Sequence, residues 1–268
     1  MRYQKYPVAM ELQPFVECYF IWEGEAKERL DVQSPPYCFG AIVVNYGDPT
    51  WAYQNSTEVS LVPEAFICGL FTSNYHRVLK GKIGMAGIVF KPAAIHNFFN
   101  IRMSTLVNGR MPLELLLGSS SHQLLSDIKK GISDVNRTEI LEKFALRYLE
   151  EGKKKLSIID EAVEYISHHK GIISVDEIAA HFKISRRYLE KQFLEKVGVS
   201  PKFYARIKRF GLLSNKIAHN EKIDWQDVVF ENGFHDQSHL AKEFKEFNKM
   251  NPSEYHQNHR EMTRFVKD

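Results

Sequence analysis

The sequence predicts a molecule in three parts: an α+β or barrel-like region over residues 1–118, an amphipathic helical connector over 119–152, and an all-α region over 153–268. Three observations carry this. Apolar runs bounded by Gly and Pro crowd the first part. Apolar residues recur at helical spacing in the second. The third aligns with itself at an offset of 51 residues, Leu189 falling on Leu240.

In the first part, PPYCFGAIVVNYGDP reads as a buried strand from Cys38 to Tyr46, stopped by Gly47 and Pro49. KIGMAGIVFKP reads as another, ending at Pro92, after which AAIHNFFNI starts a helix. The aromatics Phe20, Trp22, Trp51 and Tyr53 are candidates to line a pocket for an apolar or sugar-like effector. The plainer role for such rings is filling a core.

Leu124, Leu125, Ile128, Ile132 and Val135, then Ile140, Leu141, Phe144, Tyr148 and Leu149, predict two amphipathic helices parted near Ser133 and Asp134. Such a stripe packs on its own domain or joins two copies as a homodimer. The boundary falls in LEEGKKKL, residues 149–156, where Lys153, Lys154 and Lys155 form a hydrated linker or touch phosphate.

Beyond it, strand signals almost vanish. Ile158, Ile159, Ala162, Val163 and Ile166 make one helix. Ser174 with Glu177 is a capping-box signature for VDEIAAHF, and Ser185 caps RRYLEKQFLEKV. Pro201 opens a long helix, KFYARIKRFGLLSNKIAH. Asp224 caps WQDVVFEN, Gly233 ends it, and Asp236 caps the last of these helices.

Composition and charge exclude several classes. Residues 1–152 hold 15 Lys and Arg against 16 Asp and Glu, whereas residues 153–268 hold 21 against 17. The basic excess therefore sits in the helical part, where it permits a polyanionic partner without diagnosing one. No apolar run approaches the roughly 20 residues that cross a bilayer, and MRYQKYPVAMELQPF has no secretory core. Cys18, Cys38 and Cys68 are scattered, as expected of free thiols in a reducing cytoplasm. No cofactor motif is present. His168 and His169 are adjacent and cannot share a helix face. His235 and His239 imitate ligand spacing, but capping and packing suit them better than a metal.

The repeat points to function. Leu189 falls on Leu240, Lys191 on Lys242, Phe193 on Phe244, Pro201 on Pro252 and Tyr204 on Tyr255. Leu and Phe four residues apart share a face and anchor the second helix of each unit. That leaves Arg186, Arg187, Glu190 and Lys191 outward in one unit, and Gln237, Ser238, Lys242 and Lys245 in the other. One charged helix face is ordinarily just solvated; two at matched spacing suit a duplex. Arg and Lys reach guanine or phosphate, Gln reads adenine, and Glu accepts from cytosine. The long helix would span about 28 Å, close to the roughly 34 Å between successive major-groove faces.

On SRRYLEKQF, VGVSP and GFHDQSHLAKEFKEFNKMNPSEY, residues 157–258 resemble the AraC/XylS family of bacterial transcription regulators. The resemblance implies two homeodomain-like helix-turn-helix units joined by a long helix, with double-stranded DNA as partner. It places Arg187, Glu190, Lys191, Gln237, Ser238 and Lys242 in major grooves. Activation would add RNA polymerase as a partner. PFVECYFIWEG, VNYGDP and GIVFKPAAIHNFF resemble an uncharacterised domain that precedes this type, which implies effector sensing or oligomerisation by the first part. Three features depart from the family pattern: Val229 where a small residue is usual, NKMNP without its glycine, and Lys242 where Arg is common. An Ada-like DNA-alkyl repair domain, sometimes fused to this type, needs a zinc-bound cysteine cluster that the three thiols do not supply. The expectation is a regulator, not an enzyme, whose first part takes a small molecule or, as the alternative, a partner protein.

Overall fold

The computed structural model describes residues 1–54, 58–151, 155–219 and 223–258; Lys153 and Lys154 of the lysine triplet lie outside these. The strands are β1 (Arg2–Tyr6), β2 (Val16–Ser34), β3 (Gly40–Asn45), β4 (Trp51–Tyr53), β5 (Ser60–Leu61), β6 (Ala65–Cys68), β7 (Tyr75–Phe90) and β8 (Arg110–Pro112). They form one antiparallel sheet in the order β1-β2-β7-β3-β6-β8, with β4 and β5 attached at the start of β7.

Two long strands organise it. β2 pairs with β7 from Val16↔Phe90 to Ser34↔Tyr75, with a register shift between Ala26 and Leu30 opposite Gly81, whose φ is +78°. Such an irregularity bends a ribbon. Beyond the bend β7 changes partner: Met85–Phe90 face β3, whereas His76–Val78 face β4. Residues from both halves, among them Phe20, Ala52, Phe66, Leu79 and Met85, share one interior cluster, so the sheet curls around it.

Side chains alternate across a strand. Tyr19, Ile21, Ile42, Ile67 and Ile88 therefore face the opposite way, into a second cluster closed by helices. Those helices are α1 (Ala94–Phe99), α2 (Leu113–Leu117), α3 (Ser119–Lys130) and α4 (Asp134–Glu151). Leu124, Ile128, Leu141 and Ala145 are buried there. Two members of the expected stripe are exposed: Ile132 is 93% and Val135 62% accessible. Both lie at the junction where α3 ends at Gly131 and α4 begins, so the helical period that would carry them inward is interrupted.

The expected strand at Cys38–Tyr46 is shorter, Gly40–Asn45, and Cys38 packs instead against the helical region. The strand ending near Pro92 is the final stretch of β7.

The rest is helical: α5 (Ile158–His168), α6 (Val175–His181), α7 (Arg186–Lys196), α8 (Pro201–His219), α9 (Trp225–Glu231), α10 (Gln237–Asn248) and α11 (Pro252–Asn258). None of the described helices is long and apolar enough to cross a membrane. α8 runs through the centre of one apolar cluster, where Tyr204, Ile207, Phe210 and Leu213 meet Leu189 and Phe193 of α7 and Leu240 and Phe244 of α10.

Candidate nucleic-acid interface

Each unit is two helices around a tight turn. In the first, Ser174 accepts the Glu177 amide while the Glu177 side chain accepts the Ser174 amide, starting α6. That pairing, the Ser174 hydroxyl foremost, holds the Glu177 carboxyl below its usual range. The chain then reverses through Lys183 at φ +53°, and Ser185 Oγ accepts the Tyr188 amide to open α7. In the second unit Asp224 caps α9, Gly233 at φ +65° makes the turn, and Asp236 accepts the His239 amide to open α10. Lys183 and Gly233 occupy the same left-handed position, 50 residues apart. The Asp236 carboxyl is held below its usual range, first by the His239 amide.

The inward faces of α7 and α10 are apolar: Leu189 and Phe193, and Leu240, Phe244 and Phe247, are all fully buried. Their outward faces carry the candidate contacts. Arg187, Lys191, Gln237, Ser238, Lys242 and Lys245 lie on them. Arg186 and Glu190 are engaged with each other at 3.0 Å, and Arg186 also reaches Asp176 at 3.2 Å. An exposed pair of this kind is easily exchanged for another partner. Lys242 and His239 border a groove of about 520 Å³ between α8 and α10, with Lys202 and Arg206 on its other wall. Lys155 is exposed, away from both helices in the chain.

The sequence reading missed what holds α10. Glu243 is 4% exposed and is gripped by two arginines of α8: Arg209 Nη2 donates to Oε1 at 2.7 Å and Arg206 Nε to Oε2 at 3.0 Å. Arg206 also pairs with Glu246 at 2.5 Å, and the Arg209 guanidinium lies 4.3 Å from the Phe234 ring centre. A signal was available: Glu243 falls on the stripe of Leu240, Phe244 and Phe247, where a carboxylate needs a partner.

The helical region also touches the sheet region. Asn97 Nδ2 donates to Asp160 at 2.9 Å, and Lys91 pairs with Glu164 at 3.1 Å. Asn74 Nδ2 donates to the carbonyl of Asn248, the last residue of α10, at 3.0 Å. A turn at Met103–Thr105 backs onto α7 so closely that a Cβ at Gly198 would stand 2.9 Å from the Met103 carbonyl oxygen.

The four candidate effector aromatics are not brought together. Phe20 and Trp22 belong to the curled interior. Trp51 and Tyr53 flank Ala52, which points inward, so they point away; Tyr53 stacks on His76 and donates to Asp31. Among the described residues no group of three or more His, Cys, Asp and Glu is placed to hold a metal.

Residues 178–258 match a family described as a helix-turn-helix domain, and residues 4–112 match one described as a domain of unknown function. The chain is 24% identical over 247 residues to the Msm operon regulatory protein of Streptococcus mutans, covering 88% of this chain and 82% of that one. Among solved structures, an apo point variant of ToxT from Vibrio cholerae aligns over 90% of this chain and 97% of its own, at 12% identity and TM-score 0.45. The AraC-like transcriptional activator CuxR aligns over 80% and 85%, at 14% identity and TM-score 0.31. Two capped helix-turn-helix units stand in the carboxyl-terminal region and the helix-turn-helix family matches residues 178–258 of it, so this region is a helix-turn-helix domain and the protein a DNA-binding transcription regulator.

Proposed function

We propose that the protein is a sequence-specific regulator in which α7 and α10 enter successive major grooves on one side of a duplex. The observation that carries this is the placement of two exposed polar faces at equivalent positions of a repeat, each backed by a buried Leu and Phe. Arg187 and Lys191 in α7, with Gln237, Ser238 and Lys242 in α10, are the base-reading and phosphate-contacting groups. Arg186, Glu190 and Lys245 adjust at the edges. α8, 19 residues long, sets the separation, about 28 Å of helix against the roughly 34 Å repeat of a groove face.

Residues 153–268 form the DNA-gripping part of this reading, residues 1–118 the sensor of a small-molecule effector, and residues 119–152 the link between them. Pairing of two copies would place two such readers on a longer site, and activation would engage RNA polymerase. The protein then works without catalysis, in the bacterial cytoplasm where its DNA lies.

Selection of the full chain on a random duplex library, at two salt concentrations, tests this. The expected result is a motif with two blocks about one helical turn apart. Lys191→Ala and Gln237→Ala should each cost about 1–3 kcal/mol at one block only. Salt-sensitive binding without a motif would mean that phosphate contact dominates, and wild-type affinity in both variants would remove α7 and α10 as readers.

A further inference from the structure

Two arginines of the sheet region stand apart from every other described arginine. The others are exposed, as Arg29, Arg102 and Arg187 are, or paired with a carboxylate, as Arg2, Arg137, Arg147, Arg186, Arg206 and Arg209 are. Arg77 and Arg110 are neither. Arg77 is 9% exposed, on the inward face of β7 between Tyr75 and Leu79. Its Nη1 donates to Met85 Sδ at 3.0 Å, while its Nε is buried without a partner among the described residues. Arg110 enters the same interior from β8, and its Nη2 is likewise buried and unpartnered.

The surroundings are aromatic. The Arg110 guanidinium lies 4.8 Å from the Tyr75 ring centre and 5.0 Å from that of Phe71; Arg77 lies 5.8 Å from Tyr75 and 5.7 Å from Trp22. Among the described residues no Asp or Glu is buried in the sheet region. The groups nearest in chemistry to an anion, Tyr37 and Cys68, are kept protonated, because burial pushes both up. A guanidinium cannot shed its proton. Two permanent charges thus face rings and a thioether, an arrangement that is costly unless an anion completes it.

We propose that the curled sheet binds a small organic oxyanion, a carboxylate or a phosphate monoester, held on Arg77 and Arg110 with its body against Trp22, Phe71 and Tyr75. The planar fork of a guanidinium suits either oxyanion in bidentate fashion, and the rings suit a flat or apolar body. The inference rests on the reading of the first region as a sensor and names its ligand class. A route outward starts one residue from Tyr75: Asn74 holds the end of α10 through the Asn248 carbonyl. That contact leaves Asn74 Oδ1 and Asn248 Nδ2 buried without partners. It is therefore incompletely satisfied.

Thermal melting and calorimetric titration of the full chain with benzoate and with phenyl phosphate test this, with benzyl alcohol as the uncharged control. At saturating millimolar concentration at least one oxyanion should raise Tm by about 2 °C or more, benzyl alcohol should not, and whichever probe acts identifies the source of the charge. Arg77→Met and Arg110→Met should abolish the shift while melting no lower than wild type without ligand. No shift with either probe, a shift that survives in both variants, or variants that melt well below wild type would overturn the proposal. Fluorescence anisotropy on the selected duplex separates this from the sensing role. A Tm shift without any change in DNA affinity upholds the site and removes the sensor reading, whereas failure to bind DNA at all leaves the site standing.

Discussion

The two helix-turn-helix units share one backbone plan and are held in place by different chemistry. At four matched positions 51 residues apart, Ser185, Gln192, Val197 and Gly198 of the first unit stand where Asp236, Glu243, Asn248 and Lys249 stand in the second. The first unit sits on α8 through apolar packing, and its back is pressed against the turn at Met103–Thr105. The second is tied to α8 by the Glu243 carboxylate between two arginines, and to the sheet through Asn248. Even the left-handed residues are exchanged. The first unit turns on Lys183 and ends on Gly198; the second turns on Gly233 and ends on Lys249. Glycine stands where another segment approaches, as Met103 does at Gly198 and Ile172 at Gly233, whereas Lys183 and Lys249 are exposed. One repeat therefore yields a packed unit and a charge-clamped one.

The largest expected break in that comparison is at the clamp. Glu243→Ala leaves Arg206 and Arg209 facing each other without a carboxylate between them and should cost about 3–5 kcal/mol. Gln192→Ala, at the matched place, should cost under about 1 kcal/mol. Urea unfolding of the full chain measures both, and equal losses would erase the asymmetry.

The exchanged termini come next. Gly198→Ala puts a Cβ at 2.9 Å from the Met103 carbonyl oxygen in a residue at φ +100°. A cost of about 1–3 kcal/mol is expected. Lys249→Gly relaxes a left-handed residue at φ +62° and should stabilise by at most about 1 kcal/mol. The same unfolding curves report both, and a harmless Gly198→Ala would mean that the Met103–Thr105 turn does not press on α7.

The smallest effect is set by pH. The Asp236 carboxyl has a folded pKa below its unfolded value, so its cap contributes above about pH 3.9 and is lost as pH falls through the depressed folded value. Ser185 does not titrate. Amide exchange at His239 should therefore quicken relative to Tyr188 as pH drops below about 4. Parallel behaviour at the two amides would sink the distinction.

Legibility in the sequence follows the range of the interaction. The capping pairs at Ser174, Ser185, Asp224 and Asp236 were readable because a cap is satisfied within three residues of chain. The inward faces of α7 and α10 were readable because Leu and Phe four apart must share a side. The stripe at Ile132 and Val135 misled because their spacing continues a helical period across Gly131, where the helix stops. The side of the strand on which Trp51 and Tyr53 lie was not legible, because a ring count says nothing about which face each ring takes.

By itself, then, the sequence determined the repeat, its capped helices and the polar faces of α7 and α10. All of these depend on neighbours a few residues apart or on a pattern recurring at fixed spacing. Only the tertiary structure decided that Glu243 lies between Arg206 and Arg209, that Asn248 is held by Asn74, and that Arg77 and Arg110 meet in one aromatic interior. Those juxtapositions come from strand register and helix docking between segments 33 to 174 residues apart, where local periodicity carries no information and the burial of each charge is settled by the chain as a whole.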